Sequence, residues 1–148
     1  ISKKKQLTKK INDKFDYVVN LGGHVDHTNK AKTHKSHYIG VRNLSKIFLN
    51  KSLKSFIQIG SGGEYGNSKT PHKESNVTNI SKINSSYIKS KLLASKYLMS
   101  LYLKFKFPVT ILRLYQAYGT QQDINRLIPI VITNCKTITG TATINNAL

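Results

Sequence analysis

The sequence predicts an α/β protein built on a parallel β-sheet, because short apolar strands alternate along it with longer segments that have helical spacing. A parallel connection must cross the sheet and leaves room for a helix, so this alternation also predicts a sheet covered on both faces. Each predicted strand is followed by a polar or glycine-rich loop. In such a sheet, the loops at the carboxyl ends of the strands form the ligand crevice.

Three strands are predicted. Residues 15–23 (FDYVVNLGG) form an apolar run that is rich in β-branched residues and closed by two glycines, as is typical of a buried strand. Residues 55–60 (SFIQIG) and 108–114 (PVTILRL) are the second and third strands. The loops that follow them, LGGHVDH, GSGGEYG and LYQAYGTQQD, should therefore converge at one edge of the sheet.

Three helices, one long loop and an extended tail are predicted in the other parts of the sequence. Residues 33–50 carry apolar side chains at helical spacing, and residues 85–105 begin with a capping serine and continue as a long amphipathic helix. Residues 123–135 are predicted to be helical despite an internal proline. Residues 61–84 are rich in glycine and form a long loop, a kind of segment that often carries function. Residues 136–148 are predicted to be extended.

The composition is that of a soluble globular domain or of part of one, with 148 residues, 39% of them hydrophobic and 20% charged. A net charge of +18 would suit a nucleic-acid-binding protein. However, only three of the 24 basic residues are arginine, and the lysines are scattered along the chain. We therefore expect no specific nucleic-acid partner and interpret the lysine content as a compositional bias.

Neither a membrane segment nor a metal site is expected. No apolar run approaches the roughly 20 residues that a membrane helix needs, and the first ten residues lack the apolar core of a signal peptide, so the expected location is the cytoplasm. The single cysteine, Cys135, is predicted to be a buried small hydrophobic residue. Two His-x-x-His pairs could suggest zinc, but the lone cysteine and the loop-to-helix position argue against it. These pairs comprise His24, His27, His34 and His37.

The sequence contains three Tyr-x-x-x-Lys pairs, at residues 65/69, 87/91 and 102/106. Residues four apart share one face of a helix, so a helical pair holds an ammonium near a phenol and stabilises the phenolate. Only Tyr87 and Lys91 lie in the first turns of a long predicted helix, at the border of the crevice. Ser61, which directly follows a strand, can present a hydroxyl to the same substrate oxygen. These three residues are the candidate catalytic group.

The segments that hold these residues resemble the extended short-chain dehydrogenase/reductase family, the NAD-dependent epimerase/dehydratases that act on nucleotide sugars. FDYVVNLGGHVDH is similar to the family's fourth strand and the small residues that approach its cofactor, and FIQIGSGGEYG to its Ser/Thr-x-x-x-Tyr-Gly segment. SSYIKSK resembles its Tyr-x-x-x-Lys, and ILRLYQAYGTQQDINRLIP its Arg-x-Phe-Asn-x-Tyr-Gly-Pro segment. The resemblance covers residues 15–132 and implies a partial Rossmann-type, doubly wound parallel sheet that lacks its first three strands.

The resemblance implies a role for each candidate. Tyr87 would be the general acid/base for a sugar hydroxyl, Lys91 would bind the nicotinamide ribose and favour the phenolate, and Ser61 would orient the reacting oxygen. The cofactor would be NAD or NADP and the substrate a nucleotide sugar, and the family is compatible with a homodimer. The implied cofactor contacts are Leu21, Gly22, Gly23, His24, Val25, Lys91 and Tyr115, and the substrate contacts are Ser61, Gln116, Asn125 and Arg126.

Several of these positions have a plain structural alternative. The glycines Gly22 and Gly23 could form only a strand-ending turn, and Asn125 and Arg126 only a solvated helix start. Arg113 suits a structural role as well as a functional one.

The sequence also departs from the family. The glycine-rich phosphate loop that follows the family's first strand is absent, so residues 1–148 are expected to be the central part of one NAD(P)-binding domain in a longer parent protein, with an aberrant tail at residues 136–148. Dehydratases of the family carry an Asp-Glu pair where this chain has Gly62 and Gly63, which favours an epimerase or a 4-keto reductase. The alternative is a truncated or degenerate chain that binds no cofactor and has at most an interaction role.

Overall fold

The computed structural model describes residue 11, residues 14–76 and residues 78–136. The chain divides into two compact units, Ile1–Tyr115 and Gln116–Leu148. The predicted extended tail at residues 136–148 lies outside the described residues, except for Lys136, which ends the last helix.

Within the described residues, the first unit contains one three-stranded parallel sheet. Its strands are β1 (Tyr17–Asn20), β2 (Ser55–Ser61) and β3 (Val109–Leu114), and they pair in that order. In the register of the sheet, Phe56 lies opposite Val18 on one side and Val109 on the other. The predicted α/β class with a parallel sheet is confirmed. Three parallel strands in sequence order, joined by helices, correspond to one half of a doubly wound sheet.

Helices form both connections of this sheet. Between β1 and β2, α1 (Lys30–His34), a π-helical turn (Lys35–Ile39) and α2 (Gly40–Phe48) follow one another directly. Between β2 and β3 lies α3 (Ser86–Phe105), and the Ser85 side chain caps it by accepting a hydrogen bond from the Ile88 N–H, as predicted. The predicted loop at residues 61–84 is mostly irregular but includes two short 3-10 turns. These turns are Gly62–Tyr65 and Ile80–Lys82.

The core lies between α2, α3 and one face of the sheet. Alternate residues of a strand point to opposite faces, and the more buried set of β2 begins with Phe56, which is fully buried. This face packs against apolar residues at helical spacing on α2 and α3. The buried cluster consists of Val41, Leu44, Phe48, Leu53, Phe56, Ala94, Leu98, Leu101 and Phe107. The core therefore fixes α3, which carries Tyr87 and Lys91, against β2, which ends at Ser61.

The second unit contains α4 (Leu127–Lys136). This helix begins later than predicted because the Asp123 carboxylate and carbonyl accept hydrogen bonds from the N–H groups of Asn125 and Arg126, which forms a turn before it. Pro129 falls in its first turn, where an N–H group has no helical partner, so proline is tolerated there. The prediction that Cys135 is buried is wrong: the side chain is exposed, one residue from the end of α4.

No helix in the described part of the chain combines the length and the apolar character that are needed to cross a bilayer.

The second face of the sheet is apolar and open. Tyr17 and Val19 of β1 are 63% and 54% exposed, and Leu112 and Leu114 of β3 are 42% and 47% exposed. These residues alternate with the core-facing set, so they lie together on the opposite side of the sheet. Among the described strands, β1 is at the edge of the sheet, and an apolar face next to a sheet edge favours self-association.

We predict that the 148 residues, expressed alone, aggregate and bind NAD too weakly to matter, because this face is open and the phosphate-binding glycine loop is absent. Light scattering tests the aggregation, and calorimetry with NAD tests the weak binding. Replacing Leu112 and Leu114 together by Thr should increase the soluble fraction. A monodisperse monomer with micromolar affinity for NAD would contradict the prediction.

A second prediction concerns the end of α3, where Lys106 adopts the left-handed conformation with φ 54°. A side chain is strained there by about 1 kcal/mol, and glycine is not. Lys106→Gly should therefore stabilise the folded protein by about 0.5–1 kcal/mol in urea unfolding. Lys104→Gly, two residues earlier and still inside the helix, is the matched control and should destabilise by about 1 kcal/mol. Equal effects from both variants would refute the explanation.

Candidate functional site

The carboxyl end of β2 turns sharply at Ser61. The Ser61 Oγ accepts a hydrogen bond from the Gly63 N–H at 3.2 Å, and the Ser61 N–H donates to Glu64 Oε1 at 2.8 Å. These two reciprocal bonds form a capping box for the 3-10 turn. The Ser61 hydroxyl is therefore fixed in place at the strand end, and its own proton is not used by the Gly63 bond.

Glu64 is the centre of a buried polar network that the sequence reasoning missed. Its side chain is inaccessible to solvent, and its Oε2 accepts hydrogen bonds from Ser95 Oγ at 2.6 Å and from Arg113 Nε at 3.2 Å. The Arg113 guanidinium lies 4.8 Å from the centre of the Tyr65 ring. Burial opposes the charge of Arg113, yet the interactions with Tyr65 and Glu64 raise its pKa above the ordinary value. Arg113 therefore has a structural role.

Lys91 is a buried lysine that reaches the same strand end. Its Nζ donates a hydrogen bond of 2.7 Å to the Ile59 carbonyl, two residues before Ser61. Burial lowers the pKa of Lys91, and the attraction of Glu64 opposes this change. The Nζ also lies 5.7 Å from the centre of the Tyr87 ring. One ammonium thus contacts the strand that ends at Ser61 and lies near the phenol.

Tyr87, in the first turn of α3, is half-buried between two imidazoles. The His27 ring stacks on it with a centroid distance of 3.9 Å and an interplanar angle of 14°, and the His37 ring meets it edge-on at 5.0 Å. His27 belongs to the loop after β1, and His37 to the π-helical turn. The ring plane of Tyr87 is therefore set by residues from two other segments.

His37 joins the loop after β1 to Tyr87. Its Nε2 is 3.0 Å from the His24 carbonyl, and a carbonyl can only accept, so this nitrogen carries the proton. Burial lowers the pKa of His37, which favours the neutral imidazole. Gly23 packs so tightly against the ring that a β-carbon there would overlap it. The small residue at position 23 therefore lets the loop approach Tyr87 through His37.

Tyr115, directly after β3, covers the turn at Ser61. A β-carbon at Gly62 would lie 2.8 Å from the Tyr115 ring, so the ring occupies the space beside that glycine. The Tyr115 hydroxyl is 2.5 Å from His72 Nδ1, while His72 Nε2 is 3.1 Å from the Ser68 carbonyl. The carbonyl requires Nε2 to carry a proton, and Nδ1 pairs with the Tyr115 hydroxyl. His72 thereby ties the long loop to the end of β3.

The structure thus brings together part of the predicted site. Ser61, Tyr87 and Lys91 lie at the junction of β2 and α3. Gly23 and His24 reach the junction through His37, and Tyr115 reaches it through Gly62. Leu21 and Val25 are exposed. The Gly22 N–H donates to the Asn20 side chain at 3.1 Å.

The predicted substrate contacts Gln116, Asn125 and Arg126 belong to the second unit. All three side chains are exposed there.

The other two Tyr-x-x-x-Lys pairs lack this setting. Tyr65 is buried in a 3-10 turn, and Lys69 is exposed outside any helix. Tyr102 and Lys106 lie at the carboxyl end of α3, with the Nζ 5.5 Å from the ring centre. In the described ranges, no three His, Cys, Asp or Glu side chains are close enough to hold a metal ion.

Comparison with protein families decides the membership of this chain. The model of the NAD dependent epimerase/dehydratase family matches residues 1–145. The chain belongs to this family. The match is wider than the range of the sequence motifs, residues 15–132, and the family's name states its dependence on NAD. Among curated proteins, none matches the sequence.

Solved structures share the fold, and two of the three described here are epimerases. UDP-glucuronic acid 4-epimerase from Bacillus cereus in complex with NAD is 21% identical, with a TM-score of 0.73 over 86% of this chain and 40% of its own. UDP-glucose 4-epimerase from Thermotoga maritima with UDP-glucose is 24% identical, with a TM-score of 0.73 over 82% of this chain and 41% of its own. RMD from Pseudomonas aeruginosa complexed with NADPH is 21% identical, with a TM-score of 0.71 over 83% and 44%. The chain spans about two fifths of the length of these structures.

Proposed function

We propose that the chain is the central part of an NAD(P)-binding domain, and that its parent protein is an epimerase or a 4-keto reductase of nucleotide sugars. The observation that carries the proposal is the 2.7 Å bond from Lys91 Nζ to the Ile59 carbonyl, which fixes the Tyr87–Lys91 face of α3 against the strand that presents Ser61. Family membership supports the reaction class, and the parallel sheet supports a ligand site at this edge.

Each residue of the group has a chemical task in this proposal. As a phenolate, Tyr87 takes the proton of a sugar hydroxyl, and as a phenol it returns a proton to the carbonyl oxygen. A bound NAD or NADP would supply or accept the hydride at the sugar carbon. The Lys91 ammonium, near the phenol ring, stabilises the phenolate. The Ser61 hydroxyl donates to the reacting oxygen, because its fixed Oγ keeps a free proton.

The residues around this junction fit a dinucleotide cofactor, either NAD or NADP. His24 Nε2 is buried and has no hydrogen-bond partner in the described part of the chain, so a bound ligand can satisfy it. We propose that the segment Leu21, Gly22, Gly23, His24 and Val25 lines the cofactor together with Tyr115, and that Lys91 contacts the nicotinamide ribose. Gln116, Asn125 and Arg126 are proposed to contact the nucleotide sugar.

The turn after Ser61 favours an epimerase or a reductase over a dehydratase. A β-carbon at Gly62 would lie 2.8 Å from Tyr115, and one at Gly63 would lie 2.7 Å from Ile88. In this arrangement the side chains of Tyr115 and Ile88 occupy the space that an acidic pair at these two positions would use. The next residue, Glu64, is buried and fully engaged, so it cannot act on a substrate.

The direct test is an assay of the parent protein with NAD or NADPH and a panel of UDP- and GDP-sugars. An epimerase interconverts two C4 epimers and keeps the C4 hydrogen label within the sugar, whereas a keto reductase consumes reduced cofactor with a 4-keto sugar. Either result supports the proposal and separates its two forms. Conversion of no sugar nucleotide by a folded parent that binds cofactor would refute it.

A further inference from the structure

Glu64 is a buried carboxylate that has no task in the proposed reaction, and its contacts suggest one. We propose that Glu64 is a positioning residue for the site, which holds the Ser61 turn in place and supplies the negative charge that balances Lys91. The consequence for turnover rests on the proposed function, but the two effects on Ser61 and Lys91 can be measured without it.

The contacts of Glu64 come from three elements that build the site. Its Oε1 accepts from the Ser61 N–H at 2.8 Å, and its Oε2 accepts from Ser95 Oγ at 2.6 Å and from Arg113 Nε at 3.2 Å. Ser95 lies one turn after Lys91 on α3, and both residues are buried on the same face. One carboxylate therefore joins the strand end at Ser61, the Lys91 face of α3 and the neighbouring strand β3.

The backbone is shaped to admit this carboxylate. A β-carbon at Gly60 would lie 2.6 Å from Glu64 Oε1, so the residue directly before Ser61 must be small for the bond to the Ser61 N–H to form. Gly60 is buried within β2, where glycine is otherwise unfavourable. The close approach explains why glycine occurs at position 60. It also means that Gly60→Ala can disturb Glu64 without changing its charge.

The charge of Glu64 acts on Lys91. Burial disfavours the ammonium, and the attraction of Glu64 is the interaction that favours it. The other titratable groups near Lys91 are Tyr87, on its own helix, and His37, on the π-helical turn, whose imidazolium would repel it. Arg113 faces Glu64 from β3. Without the carboxylate, Lys91 should lose its proton at a lower pH, because no other acid approaches it in the described structure.

The test compares Glu64→Gln with Glu74→Gln in the parent protein. Glutamine has nearly the same shape but no charge, and Glu74 is an exposed control. Carbon-13-labelled lysine side chains report the titration of Lys91 by NMR, and Lys91→Met assigns the signal. We expect the titration of Lys91 to move to lower pH in Glu64→Gln and to stay unchanged in Glu74→Gln. The fall in turnover at alkaline pH should likewise begin at a lower pH in Glu64→Gln than in the wild type, because the Lys91 ammonium is lost earlier.

Two further variants separate charge from position. Ser95→Ala removes one hydrogen bond but keeps the carboxylate, so the Lys91 titration should not move. Gly60→Ala should displace Glu64 and increase the hydrogen exchange of the Ser61 N–H more than that of other β2 amides. If Glu64→Gln does not fold, Gly60→Ala alone tests both effects of Glu64, the one on the Ser61 turn and the one on the Lys91 titration. An unchanged Lys91 titration in folded Glu64→Gln, or an unchanged Ser61 exchange in Gly60→Ala, would overturn the inference.

The outcome is distinguishable from failure of the proposed function. If the parent protein converts no nucleotide sugar but shows the Lys91 shift, the proposed reaction is wrong and the assignment of Glu64 as the counter-charge of Lys91 stands. If the parent protein converts nucleotide sugars but the titration of Lys91 does not shift in Glu64→Gln, the proposed reaction stands and the inference about Glu64 is wrong.

Discussion

Replacing Tyr87 by Phe in the parent protein is expected to lower turnover by about 10²–10⁴-fold, because the phenol is the proposed general acid/base and phenylalanine has no proton to exchange. The ring itself should remain in place. Its stacking on His27 at 3.9 Å and its edge contact with His37 depend on the ring and not on the hydroxyl. Cofactor affinity and unfolding temperature should therefore stay close to those of the wild type.

The chain supplies a matched control for this variant. Tyr102 has a lysine at the same spacing, Lys106, but lies at the far end of α3. Tyr102→Phe should leave turnover unchanged within about two-fold. The measurement is kcat for hydride transfer, with cofactor binding measured by calorimetry. Undiminished turnover in Tyr87→Phe would end the assignment of Tyr87. Equal losses in both variants would show that the loss does not depend on the position of the hydroxyl at the site.

Much of the fold and the centre of the candidate site followed from local patterns. The apolar runs around Phe56 and Ile111 predicted strands, and the capping serine at Ser85 predicted the start of α3. Tyr87 and Lys91 could be selected because a helix places residues four apart on one face.

The parts that escaped prediction depend on contacts between distant segments. Glu64 stands beside two glycines in a polar loop, and nothing local shows that Ser95 and Arg113 converge on it from 31 and 49 residues away. His27 and His72 are also ordinary loop histidines in the sequence. Cys135 was misjudged because its burial depends on what lies next to the end of α4, which hydrophobic spacing cannot report. A signal for Glu64 did exist: Ser-x-x-Glu after a strand matches a capping box.

The second large effect is expected from Arg113→Met, which removes the cationic partner of Glu64. The carboxylate would keep its bonds from the Ser61 N–H and Ser95 Oγ but would be left buried without a counter-charge on that side. Removing one partner of a buried ion pair lowers the free energy of unfolding by about 3–5 kcal/mol. Because the Arg113 side chain is 20% exposed, we expect the lower end of this range.

The exposed pair of Lys54 and Asp16 is the control. Its side chains are 65% and 61% exposed at a distance of 3.2 Å, and such pairs contribute about 0–1 kcal/mol. Urea unfolding of Arg113→Met and Lys54→Met therefore compares two ion pairs whose atoms are equally far apart, 3.2 Å in each case. The two variants should differ by about 2 kcal/mol or more. Similar small losses in both would show that water reaches Glu64.

A double variant separates the loss of the Arg113–Glu64 contact from the loss of packing. A deficit caused only by lost packing of the guanidinium on Tyr65 would be the same whether residue 64 is Glu or Gln. In the double variant Glu64→Gln, Arg113→Met the losses should be smaller than the sum of the single losses, because each single change leaves the other partner buried and alone. Additive losses would mean that the network does not act as a unit, and the link from Arg113 through Glu64 to Ser61 would be lost.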